Sequence, residues 1–563
     1  MARRKSRRDF DRLCNRIFKT VLKNNPTEAS WLGIHGANDR RLADRSESAC
    51  EQELDAFREL LRELADYTEV TLDVSRAVDF DLARGGLSAL VGRMERYPHW
   101  KLMPQDYVDE AVFGLYVAMI RDYAPASKRA EDILGRLKHV DRLLSQGREN
   151  LGHPPRVFTE TAILSARGAL DFMDTALVEF IAAVDDASLQ AKLGKERERA
   201  REAVENFMRD LQGPILKRST GRFAVGMPLF RRLLREQHGV EYEPRDLIVI
   251  GQRVYRDTLR EMKAQAAKID PKRSWEVIVS GLKKDHPSAR SLVAGYTRAM
   301  DKARRFVVRK KLVTFPPDES IEVVPTPAFA RPVIPYAAYL NPAPLEDAQK
   351  GTFWVTPPDP ALSKDQREAM LQGHAKSGIA VTALHEAYPG HHLQLALANR
   401  LERPLRHLFT TSVMAEGWAL YCEEMMYEQG FYRSPESRLL QLKDLLWRAC
   451  RVIVDVSLHT GGMSFSDAVN FMVRKAKLEK PNAQAEVRRY CATPTQPMSY
   501  VVGKVLIQEL LADYRAWKGA QFDLREFHDD FLSHGTIPIG LIRREMGLPA
   551  SGAPDLGRNA ASP

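Results

Sequence analysis

The segment Ala383-Leu384-His385-Glu386-Ala387-Tyr388-Pro389-Gly390-His391-His392-Leu393-Gln394 packs three histidines and a glutamate into eight residues of an otherwise apolar run. Glu416 follows thirty-one residues after His385, in Ala415-Glu416-Gly417-Trp418-Ala419-Leu420-Tyr421. Imidazoles plus a carboxylate are the donor set of a catalytic zinc site, which takes three protein ligands and leaves the fourth position to water. Glu386, beside the first histidine, has the chemistry of a general base.

The spacing departs from the common His-Glu-x-x-His pattern, in which two histidines four apart share a helix face about 6 Å apart along the axis. Here position 389 is proline. On a continuous helix His391 would rise ~9 Å and turn ~120° off that face, and His392 would lie ~10.5 Å along it. Metal bonds of about 2.0–2.1 Å cannot span such gaps. The sequence supplies the break. Pro389 lacks the N–H that would bond the His385 carbonyl and biases Tyr388 out of the helical region. Gly390 permits the dihedrals of a turn. The expectation is a helix ending near Tyr388, a one-turn bulge, and a second helix from His391 that brings this histidine back toward His385. The competing reading is a chance surface pair of histidines, and the later glutamate in an aromatic helical run argues against it.

The rest of the chain must position these groups. The helix expected over 365–388 ends in the first ligands, and a helix near 411–429 carries Glu416. Glu423, seven residues on, shares its face and could orient a ligand histidine. Arg448, Arg451 and His459 sit among Val452, Ile453, Val454 and Leu458. Buried basic groups need partners, so they either hold a substrate carboxylate or form ordinary ion pairs. Ion pairing is the expectation for Arg448.

His-Glu-x-x-Pro-Gly-His-His-Leu-Gln followed by Glu-Gly-Trp-Ala-Leu-Tyr resembles the zincin-like bacterial family catalogued as domain of unknown function 885, grouped with the glutamate-ligand zinc peptidases. The resemblance extends from Trp31-Leu32-Gly33-Ile34-His35-Gly36 to Arg489-Tyr490 and Pro494-x-Gln496-x-x-Ser499-Tyr500-x-x-Gly503-Lys504. It implies one zinc ion on His385, His391 and Glu416. His391 is favoured over His392 because relatives can carry an aromatic residue at the second position of the pair. Glu386 is the expected base, and Tyr500, in the segment that resembles the family's C-terminal motif, is the expected oxyanion donor, with His459 as the second choice. Pro494-Thr495-Gln496-Pro497 departs from the Pro-Gly-Gln-Ala of many relatives, which bears on the loop more than on the chemistry.

Composition narrows the rest. In 563 residues, 44% are hydrophobic and 28% charged, as in an ordinary globular protein. No apolar run approaches the ~18 residues of a membrane helix. The basic start, Met1 to Arg8, is followed by Asp9-Phe10-Asp11-Arg12 and not by an apolar leader core. Five scattered cysteines form no framework. The expectation from these features is a cytoplasmic protein with no membrane partner. The net charge of +10 is interleaved with acids, as in Lys195-Glu196-Arg197-Glu198-Arg199. That is the pattern of a solvated helix face, so nucleic acid is not an expected partner.

Residues 10–310 read as successive amphipathic helices. Apolar positions at 133, 134, 137, 140 and 144 give the helical period. His35, His139, His238 and His374 are isolated and read as packing or surface residues. Glu319–Pro325 and Gly351–Pro358 read as short strands bounded by prolines, hence at sheet edges. A proline-rich loop is expected between them. By the resemblance, an edge strand there could pair with a peptide; a structural hairpin is the plainer alternative.

The expected architecture is mostly α: a zincin-like helical metallohydrolase with a small β-sheet next to the metal helix. Residues 1–310 form the helical half, 311–550 the catalytic half, and 551–563 a disordered tail. The expected activity is zinc-dependent cleavage of amide bonds in short peptides with a free C-terminus, the carboxylate being gripped by Arg451 or Arg489, then Lys504. The alternatives are an amide hydrolase acting on a non-peptide metabolite and a non-hydrolytic metal protein. The base beside the first ligand weighs against the last.

Overall fold

The computed structural model describes residues 6–67, 72–327, 331, 334 and 336–549. The expected tail at 551–563 lies outside them. The chain is mostly helical with one small sheet. It divides into two compact units, one of residues up to Val225 plus Ala343–Asp347, the other of Gly226–Pro342 plus Ala348 onward. The division therefore does not fall at the expected 310/311 boundary. The helices between 226 and 310 belong with the metal motif, because they pack on the helices that follow it.

The first unit includes α1 (Pro26–Trp31), α2 (Pro104–Ile120) and α3 (Ala126–Leu137). Arg136 of α3 is fully buried and donates to Ser30 Oγ of α1 at 2.7 Å. The Trp31–Gly36 motif continues from α1. His35 places Nδ1 at 3.1 Å from Asp39 and Nε2 at 2.9 Å from Glu346, and its ring stacks on Tyr123 at 4.1 Å. Leu345 N donates to the Leu32 carbonyl at 3.1 Å. Residues 343–347 are thus fastened by backbone and side chain to this motif.

The second unit is built on α4 (Pro244–Ile269), α5 (Trp275–Lys283), α6 (Leu292–Lys310), a sheet of β1 (Ser320–Pro325), β2 (Ala337–Leu340) and β3 (Lys350–Val355), then α7 (Lys376–Glu386), α8 (His391–Ala398), α9 (Ser412–Glu428), α10 (Pro435–Thr460), α11 (Lys480–Ala492) and α12 (Ser499–Lys518). Helix α10 starts on a Ser434 cap with Pro435 at its first position and stops at Gly461, whose φ of 90° suits glycine. Buried Leu439, Leu442, Leu446, Val452 and Val454 line it; each such side chain contributes about 1.5–3 kcal/mol of burial. Helix α4 lies so close to α10 that a Cβ at Gly251 would come 3.0 Å from the Ile453 side chain.

The sheet order is β1-β3-β2, with β1 parallel and β2 antiparallel to β3. This corrects two expectations. The proline-rich loop contains a strand, β2, of four residues, too short to carry a period of its own. The second expected strand is central, not an edge, since Pro357 and Pro358 lie beyond its last paired residue. The helix expected over 365–388 is also two helices, Lys364–Leu371 and α7, joined through Gln372–His374. At Gly373 the Tyr336 ring crosses so closely that a Cβ would meet it at 2.1 Å. The five cysteines are buried and free, and none of the described helices is long and apolar enough to cross a membrane.

Candidate metal centre

Helix α7 ends at Glu386, two residues before the expected point, with the Ala387 N–H bonded to the Ala383 carbonyl. The chain then folds back, and Gly390 N donates to the Leu384 carbonyl at 3.0 Å. A Cβ on Gly390 would lie 1.9 Å from the His385 carbonyl oxygen, so glycine is required here by close approach. Trp418 of α9 is fully buried and donates Nε1–H to the Pro389 carbonyl at 2.9 Å. This bond ties the turn between the histidines to the helix that carries Glu416. Helix α8 then opens with His391.

These turns gather His385, His391 and Glu416, whose ligand atoms all lie within 4.8 Å of one another. His391 Nε2 is 3.4 Å from Glu416 Oε2, and the two imidazole planes stand at 86°. Donor atoms about 2.0–2.1 Å from one tetrahedral ion lie roughly 3.4 Å apart, which is the spacing of the His391–Glu416 pair. His385 donates Nδ1–H to Glu423 Oε1 at 2.8 Å, which leaves Nε2 for the cluster. Glu423 is 1% exposed, and its other oxygen accepts from Gln441 at 3.3 Å. Burial would raise the Glu416 carboxyl, but the His391 hydrogen bond, the charges of His391 and His385, and the Tyr500 hydroxyl together hold it down at about 2.

His392 faces the other way. Its Nε2 donates to Glu319 at 2.9 Å and its Nδ1 takes the Tyr339 hydroxyl at 2.9 Å. Glu319 also accepts from Tyr388 at 2.5 Å and Arg304 at 2.9 Å. Both ring nitrogens are spent on the sheet side, and Gly351 of β3 leaves the room, since a Cβ there would lie 2.7 Å from His392 Nδ1.

Tyr500 reaches Glu416 because α9 and α12 touch at two glycines. A Cβ on Gly417 would lie 2.5 Å from Gly503, and one on Gly503 would lie 1.9 Å from the Val413 carbonyl. The phenol is pushed up by burial and by the Glu416 charge, so it stays a proton donor. Arg448 and Arg451 lie 5.5 and 4.9 Å from its ring. The turn before α12 hangs on Asp455 of α10, which is wholly buried and accepts Thr495 N at 3.2 Å and Met498 N at 3.1 Å. His238 bridges Thr411, the cap of α9, and Thr495, at 2.7 and 2.9 Å.

Glu386 is partly exposed at the end of α7, and its charge is felt at both His391 and Tyr296. The other expected residues are not gathered. His459 is fully buried, donates to the Tyr490 carbonyl at 2.9 Å, and has its imidazole pushed down to about 4 by burial. It lies eleven residues, about 16 Å of helix, beyond Arg448, which borders Glu423 at 3.6 Å. It is a core residue of α10, not an oxyanion donor. The expected carboxylate grips are already occupied. Arg451 and Arg489 share Glu486 at 3.1 and 3.0 Å, and Lys504 holds Glu424 at 3.3 Å. Glu486 and Arg489 stand three apart on one helix, a spacing that signals such a pair in the sequence. Glu319 and Tyr339 carried no sequence signal, because their relevance comes from the sheet.

The profile of the family described as bacterial protein of unknown function, DUF885, matches residues 26–546. No curated protein matches the chain. The solved structure of a putative lipoprotein of unknown function from Shewanella oneidensis is 25% identical, with a TM-score of 0.80 over 95% of this chain and 99% of that one. A putative lipoprotein from Colwellia psychrerythraea is 20% identical, with a TM-score of 0.82 over 96% and 99%. These names overturn the cytoplasmic expectation. It rested on the residues after the basic start, the absence of a long apolar run and the scattered cysteines, and none of these decides a compartment.

Proposed function

This chain belongs to the DUF885 family, proteins of unknown function, and on that premise we propose that it is a zinc-dependent hydrolase of peptide amide bonds. The observation that carries the reading is the convergence of His385, His391 and Glu416 within 4.8 Å, with Glu386 at the end of the same helix turn. Zinc held there supplies a Lewis acid and lowers the pKa of water toward about 7. Glu386 takes the proton of the attacking water and passes it to the leaving amine. Tyr500 hydrogen-bonds the oxygen that gains charge, a contact worth roughly 2.7–4 kcal/mol in comparable sites. Glu423 fixes the tautomer and plane of His385.

The test uses the full-length protein loaded with zinc and assayed by mass spectrometry against a panel of short peptides. The wild type should cleave members of the panel. Glu386→Gln should keep its zinc and lose about 10²–10⁴ of the rate. A zinc-loaded wild type that cleaves none of them, or a Glu386→Gln protein with normal turnover, removes the reading.

A further inference from the structure

Beside the metal centre lies a cavity of about 450 Å³ within the second unit, of small-ligand size. Its walls adjoin the site on several sides. Thr382 is one turn before Glu386 and borders Tyr296, which senses the Glu386 charge. Gln441 donates to Glu423, the partner of His385. Trp447 precedes Arg448 and carries Arg451 over its ring at 4.4 Å.

The charges of these walls differ in how they are matched. Glu486 is taken by Arg451 and Arg489, and Lys443 pairs with its neighbour Asp444 at 3.1 Å. Lys283, the last residue of α5, is half-buried in the wall and makes no ion pair among the described residues. Burial, then the Lys443 charge, push its ammonium down, while Glu479 and Asp444 pull against them from beyond ion-pair reach. A partly desolvated cation beside a second cation is stabilised by an anion. Trp447 adds an indole N–H with no hydrogen-bond partner.

We propose that this cavity receives the carboxylate end of the substrate, with Lys283 as its anchor, so that a short peptide is placed with its scissile bond toward Glu386 and the metal ligands. The proposal rests on the peptidase reading above and adds the substrate class: peptides with a free C-terminus. It moves that recognition from the arginines expected from sequence to a lysine on another helix.

The probes are acetyl-trialanine as the free acid and as the amide. Zinc-loaded wild type should show a KM for the acid about tenfold or more below that for the amide. In Lys283→Met the acid should lose this advantage while zinc content stays unchanged, and Lys283→Arg should restore it. The same pair is titrated calorimetrically into zinc-loaded Glu386→Gln protein, where no turnover intervenes. Equal KM for acid and amide in wild type, or a preference that survives Lys283→Met, overturns the inference and leaves the peptidase reading standing. Acid-selective binding that depends on Lys283, with neither probe nor any panel peptide cleaved, removes the peptidase reading and keeps the pocket. Neither binding nor cleavage removes both.

Discussion

His35 and His385 each sit against buried carboxylates, yet they are built for opposite ends. In the first unit His35 spends both ring nitrogens, one on Asp39 and one on Glu346. These bonds outweigh the burial that opposes them and raise the imidazole to about 9. The result is a cationic staple. In the second unit His385 spends only Nδ1, on Glu423, and keeps the other nitrogen for His391 and Glu416. His392 shows that adjacency decides nothing: it is next to the candidate ligand His391 in sequence, yet both its nitrogens are engaged by the sheet side. A histidine among carboxylates is a ligand candidate when one ring nitrogen is left over. Counting engaged nitrogens separates the cases where counting residues does not.

The sharpest way to break this comparison is to exchange the members of the pair. His391→Ala should lose the bound zinc altogether, whereas His392→Ala should keep it and lower the melting temperature, because Glu319 loses a buried partner at a cost of about 1–3 kcal/mol. Metal analysis of both proteins decides. Zinc retained in the first and lost in the second would invert the assignment. Next in size, Tyr500→Phe should cut kcat about 10²–10³-fold with KM nearly unchanged; a pure rise in KM would make Tyr500 a binding residue instead. Glu423→Gln tests the leftover-nitrogen rule itself. It keeps the shape but weakens the hold on His385, and zinc affinity should fall about 10–100-fold by competition with a chelator. An unchanged affinity would mean that Glu423 answers to Arg448 and Gln441 alone.

The smallest effect belongs to the staple. The His35 pKa is raised from 6.5 to about 9 in the folded state, so its contribution is complete below the unfolded value and disappears as pH rises through about 9. Wild type should therefore melt above His35→Gln at pH 6, with the gap closing toward pH 10. A gap that stays constant over that range would show that stacking on Tyr123, and not charge, holds the ring.

The gathering of His385, His391 and Glu416 was largely legible because its signals are local. Pro389 and Gly390 announce the break, and Glu423 follows Glu416 by two turns of one helix. The mostly α class was legible too, since the apolar period repeats over long stretches. What could not be read depends on partners distant in sequence. The engagement of His392 is decided by Tyr339, on a strand hidden among prolines, and by Glu319. The fate of Arg451 depends on Glu486, thirty-five residues away. Lys283 looks like any basic residue at a helix end, and only the cavity around it gives it meaning. The split of 365–388 falls at Gln372–His374, where the Tyr336 ring crosses Gly373, a contact no period records.

The meeting of Gly417 with Gly503 has a further consequence. Two helices that touch backbone to backbone cannot slide past each other by a fraction of a turn, because any shift would drive a side chain of one into the spine of the other. Glu416 precedes one contact point by one residue and Tyr500 precedes the other by three, so the spacing between the carboxylate and the phenol is set like the gauge of a track. The Glu-Gly-Trp and Tyr-x-x-Gly segments of this chain are then two halves of one ruler. Lengthening either half by a residue would leave each helix intact and put the two working groups on different faces.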